Sequence, residues 1–98
     1  MTRGIDLESV RIEHLNSLIS ELSVAGPISN QMFSSIFVRA VKTLELDEVT
    51  TVRMIGVSRP TIWRWQNGES APASLMKPVV FETLRREAMR KLRTRNPL

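Results

Sequence analysis

A thirteen-residue segment, Gly56–Gly68, constrains the fold of this chain more than any other part of it. Its first residue suits a turn, and Ser58 is of the type that caps the N-terminus of a helix. Ile62 and Trp65 lie three positions apart and can share one buried face, and Asn67-Gly68 is a typical helix stop. The segment therefore predicts a turn followed by a short helix that packs one face on a core.

The other face of this short helix, residues 59–67, carries two arginines. With Ile62 and Trp65 inside, Arg59 and Arg64 point outwards, offset by about 140° around the helix axis. Their long side chains can still reach one groove from a helix lying in it. A short helix with a buried stripe and outward arginines is typical of an element that enters the DNA major groove.

Residues 7–44 predict two longer helices and no strand, because the apolar residues recur at helical spacing and never alternate. The first helix spans 7–22, with Asp6 as its N-cap. The second begins after Ser29, where Ile28 and Phe33 stand at the positions of a hydrophobic staple. Its core stripe consists of Met32, Phe33, Ile36, Phe37, Ala40, Val41 and Leu44.

Two further helices flank the Gly56–Gly68 segment. Asp47 can cap a helix over 48–55, whose inner face is predicted to be Val49, Val52 and Ile55. After a loop at 69–73, a last helix begins near Ser74 or Pro78 and ends near Arg95, with Val80, Phe81, Leu84, Ala88 and Leu92 inside. Two favourable i,i+4 ion pairs are expected on it, Glu82–Arg86 and Glu87–Lys91.

Length and composition indicate one small domain over residues 1–98. The chain has no cysteine, so it has no disulfide framework and no thiolate metal site. It has no signal-peptide core and no apolar run long enough to cross a membrane, and we expect a cytoplasmic protein without a membrane partner. His14 stands alone, and no catalytic set or phosphate loop can be assembled. We therefore expect no enzyme, no metal and no cofactor.

Charge is distributed unevenly along the chain. The net charge is +4, with −3 in residues 1–50 and +7 in residues 51–98. An acidic half joined to a basic half suggests one face for a polyanion and another for something else, although scattered solubilising charge gives the same count. A basic run in the last helix could follow phosphates, and its alternatives are a solvated helix face and an RNA-binding stretch. The run consists of Arg85, Arg86, Arg90, Lys91, Arg93 and Arg95.

Residues 46–72 resemble the helix-turn-helix of the Cro and lambda-repressor-like (XRE-type) class of phage and bacterial regulators. The resemblance rests on Gly56, on the run Ser58–Gly68 and on Pro72, with Val57, Ile62 and Trp65 at the buried positions. It implies an all-α, five-helix domain in which 7–22 is an extra N-terminal helix and 30–95 hold the helix-turn-helix core and the basic C-terminal helix. It also implies that DNA is bound by Ser58, Arg59, Pro60, Thr61, Trp63, Arg64 and Asn67.

The function expected from this resemblance is that of a sequence-specific transcriptional regulator or repressor. Residues 59–67 would be the recognition helix, and a homodimer would bind an inverted repeat in double-stranded DNA. Two alternatives stay open: a small protein that acts by binding another protein, as an antitoxin or antiactivator, and a recombination-directionality or architectural factor that bends DNA.

Trp63 departs from the family pattern, which usually has a small or polar residue there. An exposed tryptophan is costly unless something covers it. It can pack on thymine methyls or sugar, lie in a protein partner, or fold back against the C-terminal helix.

Overall fold

The computed structural model describes residues 7–24 and 26–95, except the side chain of Arg95. Within them the chain forms five α-helices and no strand: α1 (Leu7–Leu22), α2 (Asn30–Thr43), α3 (Glu48–Ile55), α4 (Arg59–Gln66) and α5 (Lys77–Arg95). The predicted all-α, five-helix fold is confirmed, and Asp6 lies outside the described residues. No helix in the described part of the chain is long and apolar enough to cross a bilayer.

Three polar residues begin three of the helices, as predicted. Ser29 Oγ accepts the N–H of Met32 at 3.0 Å, and Asp47 Oδ1 accepts the N–H of Thr50 at 2.7 Å. Ser58 Oγ caps α4 in the same way. Each cap satisfies an N–H that the helix itself leaves without a partner, which is why such residues mark helix starts in a sequence.

The core is centred on α2. Phe33 and Phe37 are fully buried, and Phe33 stacks on Phe37 at 5.5 Å and on Phe81 of α5 at 5.3 Å between ring centroids. Trp65 of α4 meets the Phe33 ring edge-on at 5.4 Å. Four aromatic rings thus join α2, α4 and α5, and aromatic pairs in these geometries add stability beyond the area they bury.

Two residues predicted to face the core are exposed. Met32 is 40% exposed and Val49 is 48% exposed. On α3 the inward position belongs to Thr51, which is 1% exposed and donates its hydroxyl hydrogen to the Asp47 carbonyl at 2.7 Å. Because that hydrogen bond satisfies the hydroxyl, burial of Thr51 costs little, and the helix can turn Val49 towards solvent.

Helix α1 packs on α5 and α2. Helices α3 and α4 pack on each other, and α3 also contacts α5 while α4 contacts α2. The predicted apolar positions of α5 face inwards, with Leu92 only partly buried. The Glu82–Arg86 pair is present at 3.1 Å. The Glu87–Lys91 pair was predicted wrongly: Glu87 contacts Arg90 at 2.6 Å, and Lys91 donates instead to a carbonyl at the end of α2, where a cation is favourable.

Candidate nucleic-acid interface

Helix α4 is held on the bundle by its two apolar residues. Ile62 is 3% and Trp65 is 5% exposed, so one side of the helix is committed to the core. Ser34 on α2 donates its hydroxyl hydrogen to the Trp65 carbonyl at 2.7 Å, which fixes the C-terminal end of α4 as well. The orientation of the helix about its axis is therefore set by packing and by one hydrogen bond between helices.

The opposite side of α4 is an exposed arc of five residues, which we call the α4 face: Arg59, Pro60, Trp63, Arg64 and Asn67. At about 100° per residue they span roughly 140° of the circumference, with Trp63 between the two arginines. All five belong to the predicted DNA-binding set. Packing thus brings most of that set onto one surface.

Ser58 and Thr61, the other two predicted residues, are engaged within the helix start. The two hydroxyl oxygens lie 2.9 Å apart, and Ser58 Oγ also accepts the Thr61 N–H at 3.3 Å. Pro60 has no N–H, so among the first three positions of α4 only the Arg59 amide has no hydrogen bond within the described residues. These two side chains serve first as a cap, and the helix start presents one free donor rather than three.

Asn67 ends α4. Its side-chain amide donates to the Trp63 carbonyl at 2.7 Å, and its backbone N–H donates to the same oxygen at 3.0 Å. Gly68 follows at φ 72°, a left-handed conformation that glycine adopts without strain. The predicted helix stop is confirmed, and it holds the Asn67 amide nitrogen against the helix.

An acidic residue stands opposite Arg59. Glu48 Oε1, on the first residue of α3, lies 3.3 Å from Arg59 Nε, and both side chains are more than half exposed. The Arg64 side chain makes no ion pair or hydrogen bond within the described residues, whereas its backbone carbonyl accepts the Glu69 N–H at 2.8 Å. Sequence reasoning missed Glu48, because it lies eleven positions before Arg59 and only the crossing of α3 and α4 brings the two together.

Trp63 is 54% exposed, and its indole makes no ring contact with the other described aromatic residues. This excludes burial against the C-terminal helix, one of the three possibilities that the sequence left open. A large apolar ring therefore stands between two cations on the α4 face. Such a combination suits a partner that offers both apolar surface and negative charge.

The basic run of α5 is largely paired within the helix. Arg85 binds both carboxylate oxygens of Glu82, at 2.8 and 2.9 Å, and Arg86 and Arg90 pair with Glu82 and Glu87. Hydrogen bonds from Arg85 hold the pKa of Glu82 below its ordinary value, and Arg90 does the same to the pKa of Glu87. Lys91 donates to the Leu44 carbonyl instead, and among the described side chains of that run only Arg93 has neither an ion pair nor a hydrogen bond.

Comparison with known proteins finds no match: no family model, no curated protein and no solved structure is similar to this chain.

Proposed function

We propose that this chain binds duplex DNA through the α4 face and acts as a sequence-specific transcriptional regulator in the cytoplasm. Helix α4 lies in the major groove, with Arg59 and Arg64 directed at base edges or phosphates. The proposal extends to the whole domain the resemblance of residues 46–72 to the Cro and lambda-repressor-like regulators.

One observation carries the proposal. The α4 face is a contiguous exposed surface on a helix whose other side is buried, and it holds two arginines within about 140° of arc. The major groove admits one α-helix, and arginine bound to both acceptors of guanine is its commonest specific contact. Arg64, which no acid opposes within the described residues, is the better placed of the two to make this contact.

A homodimer on an inverted repeat is part of the proposal. One α4 face covers only a few base pairs, and regulators with this motif bind two half-sites about 34 Å apart. Two-fold symmetry of the protein then matches two-fold symmetry of the site.

The test is selection of binding sites from a pool of random duplexes at moderate salt, followed by anisotropy titration of the selected and scrambled sequences. We expect an enriched inverted repeat bound at least about 1,000-fold more tightly than scrambled DNA, as is usual for specific binders. Arg64→Ala should cost about 1–3 kcal/mol on the selected site and little on scrambled DNA.

Arg11→Ala is the matched control, since it removes the same charge from α1, a helix that packs on α5 and α2 rather than on α4. It should weaken both duplexes slightly and equally. Recovery of no enriched sequence, or equal losses for Arg64→Ala and Arg11→Ala, would falsify the proposal.

Binding to another protein is the second candidate, and the exposure of Trp63 favours it. Tryptophan and arginine are the residues most enriched where binding energy concentrates in protein interfaces, and Glu48 beside Arg59 adds a charge that repels DNA. This candidate predicts a stoichiometric complex that forms without DNA and is lost in Trp63→Ala. A complex that survives Trp63→Ala would rule out the α4 face as its docking surface.

A further inference from the structure

A cleft of about 390 Å³ opens between α1, the end of α2 and α5. Its apolar residues are Leu7, Val10 and Leu15, of which Leu15 is 2% exposed and forms the floor. The cleft lies on the part of the bundle built around α1, and none of the α4-face residues lines it. Its volume falls at the lower end of the range typical of small-molecule sites.

Cationic and titratable side chains from three helices surround this apolar floor. Arg11 and His14 come from α1, Lys42 from α2 and Lys91 from α5. Arg11, His14 and Lys42 make no ion pair or side-chain hydrogen bond within the described residues. Glu45 is the one acid in the lining, so the cleft carries net positive charge even with His14 neutral.

Besides adding a positive charge to the lining, Lys91 reduces the negative potential at the end of α2. Its ammonium group donates to the Leu44 carbonyl at the C-terminus of α2. The exposed carbonyls at a helix C-terminus carry partial negative charge, which would repel an anion. The ammonium group covers that carbonyl, so the end of α2 opposes an anion in the cleft less than a bare helix terminus would.

We propose that this cleft binds a small amphipathic carboxylate, a molecule with one carboxyl group and one aromatic or branched apolar group. The apolar group packs on Val10 and Leu15, and the carboxylate lies between Arg11 and Lys42. An apolar surface with a few convergent polar groups is the usual composition of a small-molecule site. The two unpaired cations select an acid over its neutral amide, because charged hydrogen bonds are the stronger ones. This site is independent of DNA binding, which it neither requires nor implies.

The test uses 3-phenylpropanoate as the probe and 3-phenylpropanamide as its uncharged match. Binding of each is followed by the backbone N–H chemical shifts of the whole chain in two-dimensional NMR. We expect saturable shifts centred on Val10, Thr43 and Glu45 at probe concentrations up to about 10 mM, in the affinity range usual for a ligand of a dozen non-hydrogen atoms. The amide should bind at least about 5-fold more weakly.

Variants that remove one charge from the cleft lining test whether charge determines the affinity for the probe. Lys42→Gln and Arg11→Gln should each weaken 3-phenylpropanoate by about 3- to 5-fold, whereas Glu45→Gln should tighten it by about 2-fold because it removes a repelling carboxylate. Arg93→Gln, which removes the same charge from an exposed position outside the lining, is the control and should change nothing. None of these four side chains has a hydrogen bond or ion pair in the described chain, and melting temperatures will show that each variant folds.

Three results would overturn the proposal. The first is the absence of saturable shifts up to about 10 mM probe. The second is a set of shifts centred away from the cleft. The third is equal binding of the acid and the amide, which would leave only a non-specific apolar contact.

Discussion

Glu48→Gln should strengthen DNA binding if the α4 face is the DNA-binding surface. Glu48 Oε1 lies 3.3 Å from Arg59 Nε, with 62% of the Arg59 side chain and 55% of the Glu48 side chain exposed. The change keeps the size of the side chain and removes its charge. It therefore frees Arg59 from its ion pair and removes a negative charge next to the surface that would meet phosphates.

The magnitude follows from this geometry. An exposed pair of this kind is worth about 0.2–1 kcal/mol, so the folded state should lose less than about 1 kcal/mol. The wild type must break this ion pair when Arg59 binds DNA, at a cost of the same size, whereas the variant does not have that cost. A carboxylate about 10 Å from one phosphate adds a repulsion of about 0.4 kcal/mol in water before salt screens it. Together these terms predict binding tighter by about 3- to 10-fold.

The assay is anisotropy titration of the selected duplex at several salt concentrations. If the freed Arg59 neutralises one further phosphate, the plot of log affinity against log salt should steepen by about 0.9. Glu13→Gln is the control, because it removes the same charge from an exposed position on α1, away from α3 and α4.

Equal changes for Glu48→Gln and Glu13→Gln would refute the reasoning, since they would show that only total charge matters. Weaker binding by Glu48→Gln would refute it too, and would indicate that Glu48 contacts the partner directly. Tighter binding with an unchanged salt slope would mean that Arg59 reaches a base rather than a phosphate.

Three predictions concern stability. Glu45→Gly should stabilise the fold by about 0.5–1 kcal/mol, read as a higher melting temperature, because Glu45 occupies the left-handed region at φ 56°. Lys77→Met should cost about 1–3 kcal/mol in urea unfolding, because the buried ammonium donates to the Ile28 carbonyl at 2.9 Å and to Asn30 Oδ1 at 2.6 Å. Hydrogen bonds from Thr50, backbone first, hold the pKa of Asp47 below its ordinary value, so Asp47 stabilises the fold above that value and less as pH falls through the folded pKa. Asp47→Asn keeps a capping oxygen but cannot titrate. The free energy of unfolding of this variant, measured in urea, should therefore fall less than that of the wild type between about pH 5 and pH 2.

Each of the three has an outcome that would contradict it. Glu45→Gln keeps a side chain at the left-handed position, so an equal gain in that variant would show that charge rather than backbone strain is responsible. Lys42→Met removes an ammonium group that has no hydrogen bond within the described residues, and a loss equal to that of Lys77→Met would remove the role given to Lys77. An acid transition unchanged in Asp47→Asn would show that the Asp47 cap is not a source of pH dependence.

The helix limits were predictable because their signals are local. Ser29, Asp47 and Ser58 each cap an N–H three residues ahead, and Gly56 ends α3 in a left-handed conformation at φ 82°. The same local rules placed Ile62 and Trp65 inside. They failed at Val49 and Thr51, because on a helix of eight residues several faces offer similar apolar area and the packing partner decides between them.

The candidate site was predictable only in part. The sequence placed Arg59 and Arg64 outside, and the structure agrees. It gave no sign of Glu48 as the partner of Arg59, and it overstated the free basic surface of α5, where Glu82 and Glu87 engage three arginines. Pairing between charged side chains depends on rotamers and on the distance between elements, which residue spacing alone does not fix.

The sequence by itself determined the five helices, the N-caps of α2, α3 and α4, and the buried stripe of α4, because each depends on hydrogen bonds and periodicity within a few residues. The tertiary structure alone decided what surrounds Gly56–Gly68: it placed Glu48 beside Arg59 and left Trp63 exposed between two cations. Elsewhere in the bundle, it formed a cleft beside α1. These features follow from how the helices cross, and the crossings are fixed by the packing of residues far apart in the chain, such as Phe33, Trp65 and Phe81.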